Sequence, residues 1–449
     1  MDLIIHNITL FTNVGPDSVQ YGRAVGLTGS RIAAIWEEQD LLSHYPDVPR
    51  LDGGGALLMP GLTNVHMHCY STFARGLALP DRPTNFAEIL EMLWWRLDRS
   101  LDLDGVYYSA LIPAITAIRS GVTSVIDHHA SSRAVDGSLD RIEEAFAAVG
   151  LRGVLCYETS DREGSGAAAA GLRENERYLR RCRDGHRADA HHLFDGMVGL
   201  HAAFTLSEET LAAAAELSSA MGRGCHVHLA EDPVDISESR ARYDGDPVTR
   251  LMHHGILGRE SIAAHCIHLS SMEKDRLSDS GCLVAHCPQS NMNNGVGRTD
   301  TLGLLKRGMH VGIGSDGMSG DLRPDVRTAL WVIKDGLGDG SAGFPDVHNM
   351  LFVHNPAIYE AVTGLPVGKL REGNPADLIL VDYFPPTRLC RETFWGHYVF
   401  GIADAPVRTS IINGRIVMKD RVIEGIDEAE VAATAREVAA ATWERFQEQ

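Results

Sequence analysis

Eight short apolar runs, each followed by a stretch of helical periodicity, fill the middle of this 449-residue chain and leave few folds open to it. The runs are LTNVHMH, GVTSVIDHH, RGVLCYETSD, DGMVGLHAAFT, GCHVHLAED, SIAAHCIHLS, CLVAHCPQSN and MHVGIGSDG. Between them lie segments such as DRIEEAFAAVG, SEETLAAAAELSSAMG and SMEKDRLSDSG, helix-like with acidic first turns. Strands that alternate with amphipathic helices build βα units around a parallel sheet. Eight such units predict an α/β architecture, a TIM-type (β/α)8 barrel over residues 58–370.

Seven of the eight runs carry His, Asp or Glu toward the carboxyl end, and the remaining one ends in Asn291. Active sites of such barrels are built at that end. Helix caps or packed histidines explain one or two of these endings, not the whole set. His66 and His68 close the first run as H-x-H. Residues two apart on a strand face the same way, so both imidazoles can converge on one ion. With 21 histidines, chance alone gives about one such pair in this chain, so the pair gains its weight from its companions.

The flanks have a different texture. MDLIIHNITLFT, RAVGLTGSRIAAIW and GGGALLMP near the start, and PADLILVDYFPP, VRTSIINGRIVMKD and RVIEG near the end, read as short strands broken by Gly and Asp. The NG of IINGRIV is a hairpin signal. Residues 1–57 and 371–426 are therefore expected to form one small sheet domain from both chain ends. An Ala-rich amphipathic helix over 427–449 follows them.

Composition excludes some functions. A net charge of −19 argues against a nucleic-acid partner, because phosphate neutralisation needs a basic surface. No apolar run is long enough to span a bilayer, and the first residues lack the basic and apolar regions of a signal peptide. The eight cysteines form no C-x-x-C pair and are expected as buried free thiols in a reducing cytoplasm. A homodimer or larger homo-oligomer is expected, since symmetric assemblies are the commonest.

Candidate metal ligands are His66, His68, one histidine of HVHLAE, and Asp316 in GIGSDG. Three neutral imidazoles and a carboxylate suit one divalent ion, zinc or else iron. Both His226 and His228 could face the barrel interior. His228 is favoured because Glu231 lies three residues on, where a carboxylate can carry a proton to a leaving nitrogen. His226 is then a packed or supporting histidine. In AAHCIHLS, His265 sits at a strand position and is assigned to polarise water or substrate, while His268 falls in the following loop. His201 and Asn291 are candidates for contacting the substrate, with His128 and His129 behind them. Trp94 and Trp95 are read as helix packing.

PGLTNVHMH, HLAE, AAHCIH and SDG, with GNPADLILVDY and SIINGRIV near the end, resemble the amidohydrolase superfamily over roughly residues 1 to 425. The likeness is to its aminohydrolase branch, which holds nucleobase and S-adenosylhomocysteine deaminases and triazine hydrolases. LWWRLDRSLD, GVTSVIDHHAS, SNMNNGVG and FWGHYVFG are most similar to the SsnA group within it. The resemblance implies a distorted (β/α)8 barrel with a small composite β-sandwich. It implies one metal on His66, His68, His228 and Asp316, with Glu231 shuttling the proton, His265 assisting and Asp316 taking a proton from the attacking water. Related hydantoinases carry a metal-bridging carboxylated lysine on the fourth strand. The first lysine here is Lys274, well beyond that strand, which favours a mononuclear site, with a bridge through Glu158 or Cys156 as the alternative. Many relatives read H-A-P-Y-T where this chain reads HAAFT over residues 201–205, so a proline and a tyrosine hydroxyl are missing from the pocket.

The expected activity is hydrolysis of a non-peptide C–N bond in a small heterocyclic substrate, with deamination of a cyclic amidine (an amino-purine, pterin or related ring) first. The alternatives are hydrolytic opening of a cyclic amide, displacement chemistry on a triazine, and a catalytically dead binding protein on the same fold.

Overall fold

The computed structural model describes every residue except Pro80 and Asp244. Eight barrel strands run at Leu62–Met67, Val122–His129, Arg152–Tyr157, Phe194–Gly196 continued by Val198–Ala202, Cys225–Leu229, Ile262–His265, Leu283–His286 and Val311–Ile313. All neighbouring pairs in the two barrel half-sheets are parallel. Every residue of these strands is buried, as expected where helices cover one face and the barrel interior the other.

The barrel is distorted in its fourth strand. Phe194–Gly196 pairs with the third strand, and Val198–Ala202 pairs with the fifth. One half-sheet therefore holds the first four strands and the other continues to the eighth. Two parallel bridges join them, Thr159 with Leu200 and Met67 with Asp316. At the second seam the His68 N–H donates to the Asp316 carbonyl at 3.1 Å, and the Asp316 N–H donates to the His66 carbonyl at 3.0 Å. The first and last strands thus meet where His66, His68 and Asp316 sit. Gly314 permits this approach, because a Cβ there would lie 2.8 Å from the His66 carbonyl oxygen.

The surrounding helices follow their sequence signals. Ser207 and Ser270 cap their helices by accepting from the Thr210 and Glu273 N–H groups. Gly121, Gly150, Gly222 and Gly281 end helices in the left-handed conformation.

Both chain ends build the remaining sheets. One has four strands, all within the first 52 residues. The other has seven and combines Thr9–Phe11, Val19–Tyr21 and Leu57–Pro60 with Leu378–Val381, Val407–Ile412, Arg415–Lys419 and Val422–Ile423. Their shared apolar core includes Ile5, Leu10, Val25, Leu58, Leu378 and Ile411. The closing helix, Glu428–Gln447, returns to the barrel mouth. There the Trp443 indole donates to the Phe73 carbonyl at 2.7 Å, and Arg445 donates to the Ser100 carbonyl at 2.7 Å. It thereby ties down the segments that follow the first strand. Among the described residues, no helix is long and apolar enough to cross a membrane, and all eight cysteines are unpaired, seven of them buried.

Candidate active site

Side chains from seven of the eight strand ends converge at the barrel mouth. Donor atoms of His66, His265, Cys287 and Asp316 lie within 4.8 Å of one another, as do those of His68, His128, Glu158 and His228. The sets meet at His68, whose Nε2 is 3.0 Å from His228 Nε2 and 3.3 Å from Asp316 Oδ1. His66 Nε2 lies 3.8 Å from the same Asp316 oxygen.

The outer ring nitrogens decide what these imidazoles can do. His68 Nδ1 donates to the His128 carbonyl at 2.5 Å, and His228 Nδ1 donates to the His201 carbonyl at 3.0 Å. Carbonyls only accept, so both protons reside on Nδ1 and both Nε2 lone pairs point inward. Two bare lone pairs 3.0 Å apart repel unless a cation lies between them. His66 Nδ1 lies 2.8 Å from His226 Nε2, while His66 Nε2 is buried with no partner. Burial is the largest influence on His66, His68 and His228 and holds all three below the usual imidazole range, as neutral ligands. Asp316 is held below its ordinary value, since His68 and His265 outweigh the opposing effect of burial. A tetrahedral ion with bonds of ~2.0–2.1 Å spaces its donors by ~3.3 Å. The observed spacings of 3.0, 3.3 and 3.8 Å bracket that value. The four residues fit one divalent cation. Cys287 is less suited, because burial keeps its thiol protonated.

Glu231 and His265 stand beside this quartet. His265 Nε2 is 3.5 Å from Glu231 Oε2 and 3.6 Å from Asp316 Oδ2. Burial raises the Glu231 pKa, although His265 opposes it. Burial alone would lower His265, but the Glu231 and Asp316 carboxylates outweigh it and raise that imidazole. Non-glycine residues with positive φ gather here: Ala230 at 50°, His265 at 69°, Cys266 at 52° and Asp316 at 52°. Such conformations persist where the surroundings over-determine them, and they cluster at functional sites.

A cavity of about 360 Å³ opens above these groups, a size suited to a small molecule. His68, His201, His228, Glu231, His265 and Asp316 line it, together with Glu158 and an aromatic wall that includes Trp94, Trp95 and Phe204.

Each residue singled out in the sequence can now be placed. His66, His68, His228, Asp316, Glu231 and His265 come together. His201 lines the cavity, with its Nδ1 2.8 Å from Thr205 Oγ1. Asn291 is absent from the cavity wall and sits behind His265, accepting from its Nδ1 at 2.8 Å. There it is placed to orient that ring. His226 supports His66, His129 bonds Ser131 Oγ at 2.9 Å, and His268 donates to the Val296 carbonyl at 2.7 Å. Trp94 and Trp95, expected as helix packing, do pack against Phe86 and Leu90, and they also line the cavity. A π-helical turn at Leu90–Trp94 shifts the helical phase just before Trp95, which a regular 3.6-residue reading does not foresee. Glu158 was not assigned to the substrate, yet it obeys the same rule as the others, a polar residue just past a barrel strand.

Comparison with known proteins agrees with this geometry. Residues 57–417 match the model of the amidohydrolase family. The chain belongs to that family. It is similar to the 5-methylthioadenosine/S-adenosylhomocysteine deaminase of Pelotomaculum thermopropionicum, with 30% identity covering 97% of each chain. It is also similar to the 5'-deoxyadenosine deaminase of Methanothermobacter thermautotrophicus, with 31% identity covering 87% of this chain and 88% of that protein. Among solved structures, a zinc-bound adenosine deaminase from Xanthomonas campestris superposes with a TM-score of 0.85 at 20% identity, covering 98% of each chain. An atrazine chlorohydrolase from Arthrobacter aurescens, complexed with zinc, superposes with a TM-score of 0.80 at 20% identity, covering 97% of this chain and 100% of that one. This amidohydrolase is a hydrolase of non-peptide carbon–nitrogen bonds.

Proposed function

We propose that this amidohydrolase removes the amino group of a nitrogen heterocycle by hydrolysis, with one zinc ion held by His66, His68, His228 and Asp316. Three imidazoles and a carboxylate are a zinc donor set, and iron is the second choice. The observation that carries the reading is the quartet of inward lone pairs beside the Glu231–His265 pair. When bound, the ion supplies the Lewis acidity that makes water a nucleophile near neutral pH.

The chain's residues do the rest. Asp316 Oδ2, facing His265 Nε2 at 3.6 Å, accepts a proton of the attacking water. Glu231, raised by burial, holds a proton near neutrality and delivers it to the departing nitrogen. His265, anchored by Asn291, stands between the two carboxylates and steadies the developing charge. A C–O bond forms, the C–N bond breaks, and ammonia leaves. The aromatic wall gives a flat ring a stacking surface and excludes water.

The relatives' names make adenine nucleosides the first compounds to test. We read the protein as cytoplasmic, in keeping with its eight free thiols, and as a homodimer or larger homo-oligomer. Glu231→Gln tests the mechanism. It should keep its metal and lose about 10²–10⁴ of the rate of ammonia release. A variant that turns over at near the parent rate contradicts the role of Glu231. A ring-opened acid in place of ammonia, read by mass spectrometry, contradicts deamination.

A further inference from the structure

Glu158 lies beside the donor quartet, with a carboxyl oxygen within 4.8 Å of the His68 and His228 donor atoms, and has no place in the chemistry described so far. It follows the third barrel strand, and its backbone N–H donates to the His129 carbonyl at 2.7 Å. The residue is 5% exposed, and its side chain lines the cavity. Among the described residues, neither of its carboxyl oxygens receives a hydrogen bond. The nearest donors are His128 Nδ1 at 3.4 Å, His201 Nε2 at 3.7 Å and Arg162 Nη2 at 3.9 Å.

Two of those neighbours are fixed elsewhere. Arg162 donates to Asp98 Oδ2 at 2.9 Å and to Ser160 Oγ at 3.0 Å, and it lies 4.9 Å above the Trp95 ring. His201 is held by Thr205 through its other ring nitrogen. A buried carboxyl left without a partner is costly, and such groups are filled in native proteins by water or a ligand. The opening beside this one is the cavity in which the reacting ring would stand.

We infer that Glu158 selects the substrate, its carboxyl binding an N–H or O–H donor that the substrate carries away from the reacting carbon. The inference rests on the deaminase reading above. The donor has two sources, a ring N–H of a lactam-type base or a hydroxyl of an attached sugar. A heterocycle with neither leaves the carboxyl unfilled and is a poor substrate.

Three compounds test this with zinc-loaded protein: 5′-deoxyadenosine (sugar hydroxyls), guanine (a ring N–H) and 9-methyladenine (neither, beyond its amino group). The wild type should prefer the better of the first two over 9-methyladenine by about 10- to 100-fold in kcat/KM, and that compound names the source. Glu158→Met, which removes the acceptor at similar size, with metal content and Tm measured as folding controls, should lose most of this preference. Equal use of all three compounds by the wild type, or an unaltered preference in the variant, overturns the inference. Thermal shift with the same compounds separates the two claims. Donor-dependent binding without ammonia release defeats the deaminase reading alone, and a wild type that binds none of the three defeats both.

Discussion

The barrel mouth and the β-sandwich are both buried, yet they are built by opposite rules. The sandwich core is a cluster of aliphatic side chains such as Ile5, Leu10, Leu58 and Leu378. At the mouth, His66, His68, His128, Glu158, His228, His265 and Asp316 are all buried together. His66 Nε2 and both ring nitrogens of His128 lack any partner. Removing apolar surface from water stabilises the first region, whereas unpaired polar groups destabilise the second. The difference separates what holds this fold together from what it was built to carry.

That contrast breaks most sharply under substitution of a donor. Asp316→Asn should abolish ammonia release, by at least about a thousandfold, while the far-UV circular dichroism stays native. Retained activity would mean that the quartet is not the catalytic centre. Leu58→Ala should do the reverse. It should lower stability by about 2–5 kcal/mol in denaturant unfolding and leave kcat and KM unchanged, because the sandwich carries no chemistry.

Asn291→Ala addresses the support behind the site. Without its acceptor the His265 ring is free to turn, so kcat should fall about 10- to 100-fold at unchanged metal content, with the acid or base limb of the rate profile displaced. A change in KM alone would instead place Asn291 against the substrate.

The smallest expected effect is on stability. Asp127 accepts from the Cys69 N–H at 2.8 Å through one oxygen, and its other oxygen is buried without a partner. Burial raises its pKa to about 6. Between about pH 4 and pH 6 the folded chain therefore keeps a proton that the unfolded chain has lost, and stability falls as pH rises through that window. Asp127→Asn removes this slope and should raise stability at pH 7 relative to pH 4 by up to about 3 kcal/mol. An unchanged pH profile of unfolding would refute it.

Much of the site was legible in the sequence because each strand end is local information. An apolar run ending in His or Asp states both its element and its direction, which is why His66, His68, His228, His265 and Asp316 could be chosen as site candidates one run at a time. What crosses between elements was not legible. The split of the fourth strand at Met197 arises from pairing with two different neighbours. Asn291 faces His265 only because two adjacent strand ends bring them together. Trp94 and Trp95 line the cavity beside a π-helical turn at Leu90–Trp94, which the sequence does not announce. Glu158 stood out in the sequence only as a possible metal bridge, because its lack of a hydrogen-bond partner exists only in three dimensions.

The proposed chemistry depends on four distant side chains holding one divalent ion. Metal analysis of the purified protein beside His228→Ala and Glu231→Gln tests it most directly. One equivalent is expected in the wild type, one in Glu231→Gln and a marked loss in His228→Ala. A full equivalent retained by His228→Ala would contradict it.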